Sequence, residues 1–335
     1  MKVPSGGTIV LCQHHLPQNI MCLHIVIEAL SLFQLECGYY LMRPMHLRRS
    51  WLFVGAADSQ AIQSSYGSGA DACIQEFEDF CVPEMRQEAR QMMPDVLNDW
   101  KARGIVATVR INPLENPDGI KDLDAAMGAG AEAILIPKAN TKEQMLLLQK
   151  HINEMEKAYG RDVGSTAIIP NIEQAPGLVN VNEVLSASEQ IVGSLVASED
   201  MAVSLNAPRR ENSEILNHVR CTFHIACCSV GITAIDMPYT FTDDEGVRQQ
   251  TMLARDIGMV SKSTVNANHC RIINDILTPS ITEVELATEM VAAFERARDS
   301  GEGQVVHNGT KVEVPTYLNA KQVIQRHEAL SSFKR

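Results

Sequence analysis

Aromatic side chains are scarce: Phe, Trp and Tyr make up 5% of the 335 residues. A stacking platform for single-stranded nucleic acid needs more of them. Excess base is also lacking. The chain has 29 Lys and Arg against 41 Asp and Glu, a formal net charge of −12. That excludes a non-specific binder of nucleic acid or anionic membrane, which needs surplus cations. Individual anion pockets remain compatible with it. Nine cysteines are present, but no Cys-x-x-Cys pair. The scatter suits a reducing compartment, so a cytoplasmic location is expected. An uninterrupted apolar run of spanning length is missing too. The best stretch, residues 20–42, is broken by His24, Glu28, Gln34 and Glu36, which makes it a poor membrane span and a poor secretory leader.

Within these limits the composition is that of a folded chain, 45% hydrophobic and 21% charged. The charge is unevenly placed. Residues 1–44 contain two bases (Lys2, Arg43) and two acids (Glu28, Glu36), so the whole net charge lies in 45–335. Residues 1–44 read as an extension, either an overcalled start before Met45 or a helical arm. Cys221, His224, Cys227 and Cys228 share a helical face. Their spacing favours a buried face over a zinc site, because free Cys packs as a small hydrophobe.

From residue 50 onward, eight short apolar runs alternate with helical patterns. They are 51–54, 72–77, 106–111, 133–137, 167–172, 194–197, 233–237 and 259–265. This repeat predicts a (β/α)8 barrel over 45–280, with 281–335 as a C-terminal helical lid. Two near copies, Gly-Ser-Gly-Ala-Asp-Ala (67–72) and Gly-Ala-Gly-Ala-Glu-Ala (128–133), precede apolar runs. They look like helix C-terminal turns feeding strands, not dinucleotide loops, which follow a strand. Thr141 and Gln144 form a capping box before the stripe Met145, Leu148, Ile152 and Met155, which Gly160 ends.

In such a barrel, catalytic groups lie at the C-terminal ends of the strands. Found there are Glu78 and Asp79, Arg110 and Asn112, Lys138, Glu173, Glu199 and Asp200, with Lys262 inside the eighth run. Two carboxylates on neighbouring strand ends, Glu173 and Asp200, suit a hard cation such as Mg2+. Arg110 suits a substrate carboxylate or a developing oxyanion. Taken singly, Lys138, Lys262 and Asn112 read better as structural groups.

Six segments carry a family resemblance: 49–54 (RSWLFV), 109–114 (VRINPL), 136–138 (IPK), 172–178 (IEQAPGL), 198–202 (SEDMA) and 234–240 (AIDMPYT). In this order they resemble the citrate lyase β-subunit-like proteins of the HpcH/HpaI aldolase group, over about residues 48–327. The resemblance implies a TIM barrel and a Mg2+-dependent lyase. Its substrate would be a CoA thioester of a 3-hydroxy acid of citryl, malyl or citramalyl type, cleaved through an enolate. It implies Glu173 and Asp200 as metal ligands and Arg110 as the substrate and oxyanion arginine. Glu78 and Asp79 match the family's acidic pair. Glu313 takes the place of a lid Asp that reaches a neighbouring subunit, which implies a homotrimer or a dimer of trimers.

Two stretches depart from the family pattern. After the first strand the chain reads Val54-Gly-Ala, then Asp58-Ser-Gln where basic residues are usual. After the eighth it reads Asn266-Ala-Asn-His in place of a His-Pro step. These departures leave open an aldolase acting on a free 2-keto acid; the resemblance to β-subunits leaves open a non-catalytic barrel subunit of a lyase complex.

Overall fold

The computed structural model describes residues 42–208, 210, 213–301 and 305–333. Most of the expected 1–44 extension therefore lies outside the described residues. From residue 42 on, the chain forms a closed barrel of eight parallel strands in sequence order. The strands are β1 (Ser50–Gly55), β2 (Ala72–Glu76), β3 (Val106–Arg110), β4 (Ala133–Ile136), β5 (Ala167–Ile172), β6 (Gly193–Val196), β7 (Thr233–Tyr239) and β8 (Ser261–Thr264). Each overlaps one apolar run, and none extends more than two residues beyond it. The barrel closes where β1 pairs with β8, Trp51 opposite Ser263.

Strand side chains alternate between two cores, as a period of two requires. Trp51, Phe53, Ala72, Ile74, Val106, Leu135, Ile169 and Leu195 fill the barrel interior. Leu52, Val54, Cys73, Ala107, Val109 and Ile134 point outward into the helical layer. The two near-copy turns behave as the sequence suggests: Gly69 and Gly130 have φ of 78° and 73° and lead into β2 and β4. The acid that follows each glycine also has a shared task. Asp71 accepts the Arg49 backbone N–H at 2.9 Å, and Glu132 accepts that of Ala107 at 2.7 Å. Each pins the neighbouring strand at the N-terminal end of the barrel.

The first helices are α1 (Ser59–Ser65), α2 (Arg86–Ala102), α3 (Gly119–Gly128) and α4 (Lys142–Ala158). Helix α4 starts with the expected capping box and buries Met145, Leu148 and Ile152. Short helices α5 (Ala175–Val179), α6 (Val181–Leu185) and α7 (Glu199–Ser204) come next, then α8 (Glu214–Val230), α9 (Asp244–Asp256) and α10 (His269–Ile276). On α8, Cys227 is buried but Cys228 is exposed, so the Cys–His face is only partly covered. The chain ends with α11 (Ile281–Asp299), the hairpin β9 (Val305–His307) and β10 (Thr310–Val312), and α12 (Val314–Ser332). Phe294 stacks on Tyr317 at 4.8 Å and joins α11 to α12. Arg326 of α12 donates to the carbonyls of His46 and Val260. Both precede strands, so α12 docks at the end of the barrel opposite the strand C-termini.

Lys262 does not join the strand ends. It faces outward from β8 and is fully buried beside Asp236 of β7, its register partner. Its Nζ donates to Asp236 Oδ2 and to the Met237 carbonyl, each at 2.6 Å. Arg220 of α8 donates Nε to Asp236 Oδ1 at 2.6 Å and Nη2 to Gln250 Oε1 at 2.9 Å. Burial pushes the Lys262 ammonium down to about 8, against the pull of Asp236. One carboxylate thus serves two buried cations between barrel and helices. Asp236→Asn should destabilise the fold by about 3–5 kcal/mol, because both cations lose their counter-charge. A urea-denaturation midpoint measures this. A loss under about 1 kcal/mol would show that the cations have other acceptors.

Candidate active site

The site begins with strand register. Glu76 ends β2, Arg110 ends β3, and the two are register partners. Both face inward at the top of their alternations, Ala72/Ile74/Glu76 and Val106/Thr108/Arg110. Arg110 Nε donates to Glu76 Oε1 at 2.8 Å. The same carboxylate folds the following turn, accepting the backbone N–H of Glu78 at 2.7 Å and of Phe80 at 2.5 Å. That turn delivers the expected acidic pair. Arg110 Nη2 donates to Asp79 Oδ2 at 2.9 Å and lies 3.5 Å from Glu78 Oε2. Its Nη1 lies 3.7 Å from Glu173 Oε2. Its guanidinium carbon sits 5.0 Å from the centre of the Phe53 ring. Burial opposes the Arg110 charge, but Glu76, Glu173 and Glu78 outweigh it and raise its pKa above the ordinary value.

Glu173 follows β5 and is fully buried. Its Oε1 accepts the Lys138 backbone N–H at 2.8 Å. Its Oε2 has no hydrogen-bond partner, and neither has Glu78 Oε2. Burial pushes the Glu173 carboxyl up to about 8; Arg110 pulls it down, while Glu78 and Asp200 add to the rise. Glu78 is likewise raised, by burial first. Asp200 lies in the first turn of α7, half-buried, within electrostatic reach of both Glu173 and Lys138. Lys138 has φ of 51°, a left-handed backbone that is uncommon for a residue with a side chain. That turn aims its N–H at Glu173, while its ammonium bonds Glu78.

Among the described residues, no three His, Cys, Asp or Glu side chains are grouped for a metal ion. A hard cation here would use Glu173 and Asp200 and complete its shell with water and substrate oxygens. The two carboxylate oxygens without a hydrogen-bond donor, Glu173 Oε2 and Glu78 Oε2, fit that use: each has only the long ion-pair contact with Arg110, and a buried acceptor still lacks a donor there.

The structure therefore brings Arg110, Glu78, Asp79, Lys138 and Glu173 together, with Asp200 alongside. Other groups stand apart. Asn112 donates to the Phe77 carbonyl and to Asp122, which also binds Arg90, so it holds a loop. Glu199 accepts Thr240 Oγ1 at 2.5 Å. Glu313 is exposed at the start of α12 and pairs with Lys311 at 2.7 Å, with none of the mouth residues among its partners in the described residues. Sequence reasoning gave no role to Glu76 or Phe53. The inward alternation was the signal that could have found both.

The profile of the HpcH/HpaI aldolase/citrate lyase family matches residues 49–267. The chain belongs to this family of lyases. It is 32% identical over 287 residues to the citrate lyase subunit beta of Escherichia coli strain K12, covering 85% of this chain and 95% of that one. It is 28% identical over 290 residues to a (3S)-malyl-CoA thioesterase of Cereibacter sphaeroides, covering 86% and 98%. Its fold is similar to that of CitE from Mycobacterium tuberculosis, solved in complex with magnesium, acetoacetate and coenzyme A. The TM-score is 0.67 at 22% identity, over 84% of this chain and 98% of that one.

The Lys138 backbone can be tested directly. Lys138→Gly should be about 1 kcal/mol more stable than Lys138→Ala, because both remove the ammonium and only glycine relieves the positive φ. Thermal denaturation of the two variants measures the difference. Equal stability would show that the left-handed turn carries no strain.

Proposed function

We propose that this chain is a Mg2+-dependent carbon–carbon lyase. Its substrate is a CoA thioester of a 3-hydroxy acid, of citryl, malyl or citramalyl type, and the reaction passes through an enolate. The observation that carries the reading is the buried Glu173 oxygen that accepts no hydrogen bond and lies 3.7 Å from the Arg110 guanidinium, with Asp200 in reach. Glu173 and Asp200 would hold the cation, which when bound would supply Lewis-acid stabilisation to the reaction.

The chain's own residues do the rest. Arg110 keeps its charge at all relevant pH and holds a substrate carboxylate or the developing oxyanion. Glu76 and Phe53 fix the plane of that guanidinium, so it needs no reorganisation as charge develops. Lys138 holds Glu78 aside and one oxygen of Glu173 in place, leaving the other oxygen without a hydrogen bond, facing Arg110. The proton is handled by Glu313 of a neighbouring copy, in a cytosolic trimer or dimer of trimers. Docking of α12 away from the mouth of its own barrel supports that reading. No helix among the described residues is long and apolar enough to cross a membrane.

Glu173→Ala and Asp200→Ala should each lower Mg2+-dependent kcat/KM by roughly a hundredfold or more, several kcal/mol of lost charge stabilisation. A coupled assay of malyl-CoA cleavage with titrated Mg2+ reads this. Full activity in both variants would remove the metal assignment.

A further inference from the structure

A cleft lies at the N-terminal end of the barrel, opposite the mouth. Helix α12 forms one wall, with Asn319, Gln322 and Arg326. The end of α9, the turn into β8 and the residues after α10 form the other, with Arg255, Val260 and Leu277. The cleft holds about 450 Å3, within the range of roughly 300–1,000 Å3 usual for small-molecule sites. Among the described residues that line it, the ionisable side chains are Arg255 and Arg326, and the other polar side chains are the amides of Asn319 and Gln322. Each of these four groups can donate to an oxyanion.

Arg326 anchors the cleft. Its Nη1 donates to the His46 carbonyl at 2.7 Å, and its Nη2 donates to those of Val260 at 3.1 Å and Leu277 at 3.4 Å. These acceptors are neutral, and they leave at least two of the five guanidinium N–H groups for a ligand. Among the described residues, no carboxylate pairs with Arg326. Burial first, and then Arg49, lower its pKa; Asp71 opposes the fall and Arg255 adds to it. Asp71 is itself shared between Arg43 and Arg49, and Glu283 is paired with Arg255. Four cations thus stand against two carboxylates. The carbonyl ends of α9 and α10 face the same cleft and offset about half a charge each at most. About one positive charge is left unmatched, in a chain whose net charge is −12.

We infer that this cleft binds a small oxyanion, a phosphate or a polycarboxylate, between Arg326 and Arg255, at a site separate from the barrel mouth. Both ligand types present oxygens that a guanidinium recognises through charge-assisted hydrogen bonds. Such a ligand supplies the missing counter-charge and accepts from Asn319 and Gln322 on its α12 side. Occupancy strengthens the hold of α12 on the barrel, because Arg326 ties that helix to His46 and Val260. The inference does not rest on the lyase reading, since no residue of the mouth takes part in it.

The test titrates the full-length protein by calorimetry with inorganic phosphate and, separately, with citrate, without Mg2+ and at constant chloride. At least one of the two should bind with a dissociation constant below about 1 mM. Binding of phosphate alone, or of citrate alone, supports the inference and identifies the anion that the site accepts. Two variants locate the site. Arg255→Gln removes a cation at a partly exposed position. Gln322→Glu places a carboxylate one turn before Arg326, at the spacing where the two pair along a helix. Each should weaken anion binding about tenfold, the scale of one charge-assisted bond, with the helical signal in circular dichroism unchanged. Dissociation constants above about 10 mM for both anions, or an affinity unmoved in either variant, would overturn the inference. The second result would put the bound anion elsewhere, such as at Arg110.

Discussion

The mouth of this barrel depends on one carboxylate, Glu76. It is fully buried at the end of β2 and accepts from the Arg110 guanidinium and from the three backbone N–H groups of the Glu78–Phe80 turn. A buried ion pair is a poor source of net stability unless hydrogen bonds satisfy its remaining capacity. Here those bonds are supplied by the turn itself, so the pair and the turn form together. From that point the guanidinium reaches Asp79, Glu78 and Glu173. Glu76 thereby sets the direction of the cation that orders the other carboxylates, although it does not face the open site. Around it stand five acids (Glu76, Glu78, Asp79, Glu173 and Asp200) and two bases (Arg110 and Lys138). Burial first, and then the nearby Glu78 and Asp200, push the Glu173 carboxyl up against the pull of Arg110. A divalent cation would relieve this surplus of acids over bases.

Much of this was legible in the sequence for a simple reason. Strands buried on both faces must be apolar throughout, so eight runs mark eight strands, and polar residues collect where the runs stop. Glu78, Asp79, Arg110 and Glu173 lie at those stops. Lys262 reads as a structural group from the sequence and is one, but a run marks a strand without saying which face each residue takes. A shift of one residue exchanges inside for outside, and the run 259–265 contains a strand of only four residues, 261–264. Glu76 went unassigned for the converse reason. It lies at the edge of an apolar run, and its importance comes from a neighbour 34 residues away that only the β2–β3 register supplies. Lys138 was read as structural because a left-handed backbone at a lysine leaves no mark in the sequence.

The closed topology also separates chemistry from selection. Reacting groups stand on strand ends or on the turns directly after them, where backbone hydrogen bonding fixes position. The tail of the substrate would meet loops, which tolerate change. Closure makes β1 and β8 neighbours although more than 200 residues lie between them. A change in the β1–α1 loop and a change after β8 therefore act on one cleft, and neither touches the Glu76–Arg110 pair. Phe53 is the exception, because its ring belongs to both regions. Substitutions elsewhere in the cleft can alter which tail is accepted while the guanidinium keeps its plane. Loss of the Phe53 ring would disturb selection and charge stabilisation together. The separation of the other cleft residues from the Glu76–Arg110 pair explains how this chain can depart from its family at both loops and still retain Arg110, Glu173 and Asp200.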